Sequence, residues 1–483
     1  MSVIKLSRAT HRFGLVIIGG GPAGLATLLA AHRMGSLDAL LAEGVAVVEQ
    51  SAHLGAGSIG GYAINSDSSG RTFIDCLLAD EPSELTELEN HPLTIRLGSA
   101  GDGAVPLQEA GRFLHLVGGA VSDRMARHLA SAVLTGHRAL SAEMTENGWL
   151  VQVQDTTTGE MRSLSSRNVV VATGAHQPAE RLADEEVGGC RLAERYADRL
   201  LQSGDVLTIG GLERVASLLA SKSSPRVAVI GGSTSAVAVA HALLHRLPAT
   251  HFGASGITLL HRRDLRIYYP DRASALAEGY DEWTEADVCP ISGRVFRFAG
   301  FRLDSRELVM QARGIGGRAP EPRLRLHHLR TADTEAMRIL DEADLVVAAL
   351  GYRPHGLPLF DRFGDPITLL AHTGPQLPMV DEGCRLLDDG GLPIEGMFGI
   401  GLAAGFMPRG ALGGEASFRG QANGLWLWQH DVGSLIVRAV AASASAPLWS
   451  TDALPVQSYA SHSDALHLSI SAQLPVSTAA VEA

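Results

Sequence analysis

The chain has 483 residues, 46% of them hydrophobic and 19% charged, enough for two or three domains of a soluble α/β protein. A formal charge of -12 leaves no broad basic field to neutralise phosphates, which excludes a nucleic-acid partner. Residues 1–6 carry no apolar signal segment and no apolar run reaches the length of a membrane span, so a cytoplasmic protein without a membrane partner is expected.

The first predicted element is an apolar strand ending at Ile18. It runs into Gly19-Gly20-Gly21-Pro22-Ala23-Gly24 and then a helix over 22–34. Strand, tight glycine turn and helix together place a pyrophosphate on a helix N-terminus. Gly19 permits the turn, Gly21 lets backbone approach the phosphates and Gly24 lets helix pack on strand. Pro22 and Ala23 open the helix, where the missing proline N–H costs nothing. A second strand, 45–48, ends in Glu49, an acid placed to accept ribose hydroxyls.

The stretch 55–69 is too rich in glycine for a regular helix. It reads as a loop lying against something flat, with Gly57 near its start. Asn65 and Asp67 reach a ligand from this loop or belong to a polar surface turn. Residues 85–120 read as a loop-rich excursion. An alternating strand at 149–153 and a turn at 156–160 lead to an apolar run ending in Ala172-Thr173-Gly174. A similar run returns at 345–351, as an inserted second domain would give.

Between these runs lies a second glycine turn, Gly231-Gly232-Ser233-Thr234-Ser235-Ala236, again after an apolar strand. Ser233 and Ala236 stand where the pattern prefers glycine. The next strand, 257–260, ends in His261-Arg262-Arg263 rather than an acid. Paired arginines attract a 2′-phosphate, which favours NADPH over NADH. The aromatic-rich segment 268–306 is either a wall over a ligand or the core of a small domain. The four cysteines, Cys76, Cys190, Cys289 and Cys384, are far apart in sequence. They give no CxxC and no metal-ligand spacing, so neither a disulfide relay nor a bound metal is expected.

Late in the chain a strand and a further glycine turn around Gly401 precede Ser417, Arg419 and Asn423. Arg419 and Asn423 share a helix face if the helix has begun by then. Five segments in this order, over 14–430, resemble the two-dinucleotide-binding flavoproteins. Within them the likeness is to NADPH-dependent flavin monooxygenases, including the amine N-hydroxylases. Where Baeyer–Villiger and microsomal-type enzymes carry Phe-x-Gly-x-x-x-His, this chain has Ile209-Gly210-Gly211-Leu212-Glu213-Arg214, without histidine.

The resemblance implies an α/β fold class with two Rossmann-like domains, for FAD and NAD(P)H, the second inserted in the first. The FAD domain is expected at 12–190 plus 336–440, the NADPH domain at 200–335, and an Ala/Ser/Pro-rich tail at 441–483. FAD would contact Gly19, Gly21, Pro22, Ala23, Gly24, Glu49, Gly57, Thr173, Gly174, Gly401 and Ser417. NADPH would contact Gly231, Ser233, Thr234, Ser235, Arg262 and Arg263. Asn65, Asp67, Arg419 and Asn423 are the candidate catalytic residues. The implied reaction activates dioxygen at flavin C4a and passes one oxygen to a small-molecule substrate, at an amine nitrogen or another soft nucleophile. Three other readings stay open: an NAD(P)H:acceptor reductase, an amine oxidase with a vestigial second site, and a non-catalytic nucleotide-binding scaffold. Oligomer formation is equally open.

Overall fold

Two sheets, one mixed and one all parallel, organise the described residues. The computed structural model describes residues 11–78, 83–247, 249–373 and 377–445. These belong to one compact unit, Met1–Ala446; a second unit, Pro447–Ala483, lies outside the described residues, as does most of the expected tail. Residues 441–445, expected in that tail, instead end a helix, Gly433–Ser445.

The larger sheet has nine strands. At its centre His11–Ile18 pairs in parallel with Val45–Glu49 and with Met161–Val171. Val45–Glu49 is buried along its whole length, and so reads as an unbroken apolar run rather than an alternating one. Pro393–Gly399 adds in parallel to the far end of Met161–Val171. The opposite flank is an antiparallel meander, His137–Thr145 and Gly148–Asp155. Helix Pro22–Arg33 is buried from Ala23 to His32 and underlies the sheet. Helix Gly433–Ser445 closes on it through Gly433, where a Cβ would stand 2.7 Å from the Ala26 carbonyl oxygen.

The smaller sheet has five strands, all parallel: Leu200–Gln202, Leu345–Ala348, Val227–Ile230, Ile257–His261 and Leu324–His328. This corrects one sequence expectation. Leu345–Ala348, placed in the resumed FAD domain, pairs with Val227–Ile230 in the smaller sheet. The return to the larger sheet comes after it. There Arg353–Pro354 pairs antiparallel with Ala175–His176, so the outgoing and returning chains cross side by side. The His176 and His355 rings stack at this crossing, 4.5 Å apart.

Residues 85–120 are not loop-rich. They hold helix Pro92–Ser99, strand Ala104–Pro106 and most of the 20-residue helix Leu107–Ala126. Of the aromatic-rich segment, Tyr269, Tyr280, Phe296 and Phe301 are buried in the core of the smaller sheet. Among the described residues no helix is long and apolar enough to cross a membrane.

Candidate dinucleotide sites

The first glycine turn leaves strand His11–Ile18 at its C-terminal end, where doubly wound sheets place their ligands. Gly19 has φ 102°, and a Cβ there would stand 2.3 Å from the Ala172 carbonyl oxygen. A Cβ on Gly24 would stand 1.8 Å from the Gly19 oxygen. Both positions demand glycine for the fold itself. Gly21 does not: its φ of -73° and ψ of -171° suit any residue. The nearest atom to a Cβ there is the Gly57 Cα at 3.4 Å, an ordinary contact. Glycine at 21 therefore leaves space in front of the helix rather than relieving the protein.

Three further features converge on that space. The helix starting at Pro22 has no side-chain cap and no acid in its first turn, so its N-terminal N–H groups and dipole face an anion unopposed. Gly57 touches Pro22, its Cβ position 3.3 Å from the Pro22 Cδ. At Gly401, with φ 83°, an added Cβ would stand 2.5 Å from the Ala23 Cβ, so the late glycine turn packs against the start of this helix. Glu49, 8% exposed, accepts the Gly20 N–H at 2.7 Å and the Ser51 N–H at 2.8 Å. Those bonds fix the carboxylate and leave lone pairs for ribose hydroxyls. The set fits the adenosine and pyrophosphate of FAD. Thr173 and Gly174 lie farther back, at the crossing of the two chains: the Thr173 hydroxyl donates to the His355 carbonyl at 2.7 Å.

The second turn repeats the geometry in the smaller sheet. Gly231 has φ 140°, with a would-be Cβ 2.6 Å from the Ala349 oxygen. Ser233 caps helix Thr234–Arg246 by position only, its side chain making no cap hydrogen bond, and the first turn, with Thr234 and Ser235, carries no acid. Arg262 donates to a Glu185 carboxylate oxygen at 2.7 Å and to the Glu186 carbonyl at 2.8 Å. It lines a cavity of about 250 Å³ together with Gly188, Gly189, Arg330 and Thr331. Arg263 is exposed beside it. Arg330 and Thr331 were missed in the sequence, although they follow a strand of this sheet just as Arg262 does.

The expected catalytic residues do not form one group. Asn65 donates to Asp304 at 2.8 Å and accepts from Arg246 at 2.9 Å, so both ends of its amide are occupied. Asp67 is open to solvent yet crowded by protein; burial pushes its carboxyl up to about 7, against the pull of Arg302. Arg419 and Asn423 do not share a helix face, because the helix begins only at Leu425. The Arg419 guanidinium donates to the Ala416 carbonyl, and Asn423 is exposed. Ser417 accepts from Arg266 at 3.4 Å and its N–H donates to the Ala286 carbonyl at 2.8 Å.

These contacts belong to a loop seam that sequence reasoning missed. Glu415, 3% exposed, accepts the Phe298 and Ala299 N–H groups at 2.9 and 2.8 Å. The Gly414 N–H donates to Cys289 Sγ at 3.2 Å. Burial opposes ionisation of Cys289, but Ser292, the Gly414 N–H and Arg297 outweigh it and bring the thiol down to about 6. A buried acid next to Gly413-Gly414 was the available signal. All four cysteines are free thiols, three of them buried.

Residues 13–282 match the pyridine nucleotide-disulphide oxidoreductase family. The chain is 36% identical to the CMP-5′-(3-aminopropyl)phosphonate hydroxylase of Streptomyces rubellomurinus, over 90% of this chain and 98% of that protein. The fold is shared with an ornithine N-hydroxylase of Kutzneria sp. 744 (TM-score 0.51, 16% identity, 90% of this chain and all of that one). It is also shared with the cadaverine monooxygenase of Erwinia amylovora (TM-score 0.52, 12% identity, 95% of this chain and all of that one). The chain belongs to the pyridine nucleotide-disulphide oxidoreductase family and, within it, is an FAD- and NADPH-dependent oxidoreductase of the monooxygenase type.

Proposed function

We propose that the protein N-hydroxylates the primary amine of a small, phosphonate-bearing nucleotide substrate. The observation that carries this reading is the 36% identity, along nearly the full chain, to a hydroxylase named for CMP-5′-(3-aminopropyl)phosphonate. Free, separated cysteines support it, since none is paired to relay electrons through a disulphide. The overall reaction balances as R–NH3⁺ + O2 + NADPH → R–NHOH + NADP⁺ + H2O. Bound FAD supplies hydride acceptance from NADPH and the activation of dioxygen.

The chain's own residues bind and orient. The uncapped helix at Pro22 and the space before Gly21 hold the FAD pyrophosphate, and Glu49 holds its ribose. Gly231, Ser233, Thr234 and Ser235 do the same for NADPH, with Arg262 and Arg330 at the 2′-phosphate. Arg419 and Asn423 remain candidates for substrate contact on an exposed loop. The FAD domain is 12–190 resuming after Ala348, and the NADPH domain lies between. The enzyme works in the cytoplasm on a small molecule and dioxygen, without nucleic acid or membrane.

The test is aerobic turnover of purified holoenzyme with NADPH and the CMP ester of 3-aminopropylphosphonate. The expected result is NADPH consumption matched by a product heavier by one oxygen atom, the label coming from ¹⁸O2. NADPH oxidation with no such product, alongside fast reduction of a quinone or dye, would instead favour the acceptor reductase.

A further inference from the structure

In an NADH-binding fold the strand after the glycine-turn helix ends in an acid that takes the adenosine ribose hydroxyls. Strand Ile257–His261 pairs in parallel with Val227–Ile230, which carries the second glycine turn, so its end lies where the fold places that ribose. The strand runs into arginines, yet an acid stands beside them. Glu185, at the C-terminal end of helix Glu180–Asp184, accepts the Arg262 guanidinium N–H at 2.7 Å. Its backbone is held on both sides. The Glu185 N–H donates to the Arg181 carbonyl at 3.1 Å, and its carbonyl accepts the Leu192 N–H at 3.1 Å.

The two partners are unequally buried. The Glu185 side chain is 14% exposed and that of Arg262 60%, so the acid is the fixed member and the arginine the movable one. Arg262 borders the cavity of about 250 Å³, with Gly188 and Gly189 of the hairpin Glu186–Arg191 and with Arg330 and Thr331 beyond strand Leu324–His328. Arg330 is exposed, and among the described residues no acid stands on its guanidinium. The cavity thus offers one unmatched cation and one already matched. A phosphate entering it gains Arg330 outright but takes Arg262 only by parting it from Glu185. A largely buried carboxylate left without its partner is costly. A ribose with a hydroxyl there meets no such conflict, because the Glu185 carboxylate keeps lone pairs to accept it beside Arg262.

We propose that Glu185 sets the coenzyme preference: it holds down the affinity for NADPH and lets the same site serve NADH. This rests on the assignment of the 2′-phosphate to Arg262 and Arg330. With NADPH, Arg262 turns from Glu185 to the phosphate and shares it with Arg330. With NADH, the Glu185–Arg262 pair stays intact and Glu185 receives the ribose 2′-hydroxyl, the part that Glu49 has in the FAD site. The acid missing from the strand end is supplied from another element, 77 positions upstream of Arg262.

Calorimetry of the oxidised, flavin-loaded enzyme with NADP⁺ and NAD⁺ tests this without turnover, whatever the substrate. Glu185→Gln keeps the size of the side chain and removes its charge. It should tighten NADP⁺ about two- to fivefold, the effect expected when a partly exposed ion pair need not be broken, and should not tighten NAD⁺. Glu185→Ala, which removes the acceptor as well, should weaken NAD⁺ about fivefold. On an Arg262→Gln background, Glu185→Gln should leave NADP⁺ within about twofold, since no pair remains to part. Asp184→Asn removes an exposed acid one residue away and should leave both dinucleotides within about twofold, because exposed charges are screened. Full flavin loading of each variant shows that it folds. Unchanged NADP⁺ binding in Glu185→Gln, or the same gain in Asp184→Asn, would overturn the proposal. Equal NADP⁺ binding by Arg262→Gln and wild type would remove the phosphate site beneath it, a separate and recognisable failure.

Discussion

A methyl group added at Gly24 would stand 1.8 Å from the Gly19 oxygen, whereas one added at Gly21 would meet no protein atom closer than 3.4 Å. The two substitutions should therefore separate folding from binding. Gly24→Ala should destabilise the protein by about 1–3 kcal/mol or more, as overpacking against backbone does. Gly21→Ala should leave flavin-stripped protein within about 0.5 kcal/mol of wild type, yet weaken FAD at least about tenfold. Denaturant melts and flavin content on the same samples check both. Arg262 carries the second residue-scale prediction. Its guanidinium donates to Glu185, a carboxylate that a 2′-phosphate would displace in the proposed NADPH site. Arg262→Gln should raise the KM for NADPH about 10- to 100-fold, one charge-assisted interaction, with a much smaller change for NADH. An equal effect on both coenzymes would move the 2′-phosphate site elsewhere.

At the scale of elements, helix Leu107–Ala126 shows why part of the fold was hidden in the sequence. It contains Gly111, Gly118 and Gly119 and lies largely within the 85–120 stretch that reads as loop-rich in the sequence. Two of them serve close approach: a Cβ on Gly118 would stand 2.4 Å from the Leu54 oxygen, and one on Gly111 2.5 Å from the Gly60 Cα. The helix thus presses the 54–61 loop against the first glycine turn. Gly119 is exposed and has nothing within 4 Å. The matched pair is a test. Gly119→Ala should stabilise by about 0.5–1 kcal/mol, the ordinary helix preference. Gly118→Ala should destabilise by about 1–3 kcal/mol and loosen FAD, because the loop must retreat. The strands before both glycine turns were legible, since a parallel strand buried on both faces is an unbroken apolar run in any context. Which sheet such a run joins is not written locally. Leu345–Ala348 looks like the run at 169–171, and only its pairing with Val227–Ile230 assigns it. Arg302 and Tyr268 were likewise illegible as partners, because the stack joins residues 34 positions apart.

For the whole molecule the decisive property is where reducing equivalents can rest. Two glycine turns stand at the strand ends of two sheets linked by the crossed segments Ala175–His176 and Arg353–Pro354, and the family to which the chain belongs is named for pyridine nucleotides and disulphides. A redox-active cysteine pair can hold an electron pair of its own, because a disulphide takes up two electrons on reduction to two thiols. Here Cys76, Cys289 and Cys384 are buried singly and Cys190 lies on a separate hairpin, each a free thiol. Burial pushes the Cys76 thiol up to about 12 and the Cys384 thiol higher still, which leaves neither as a nucleophile. Cys289 is the one poised to ionise, and it accepts the Gly414 N–H rather than facing a second sulfur. The holoenzyme should then hold one electron pair per FAD. An anaerobic titration with dithionite or NADPH should end at a single two-electron equivalent, with the oxidised flavin band bleaching linearly to that point and no thiolate-to-flavin charge-transfer band on the way. An endpoint at two equivalents, or such a band, would reveal a redox cysteine and return the protein to the disulphide-reducing branch.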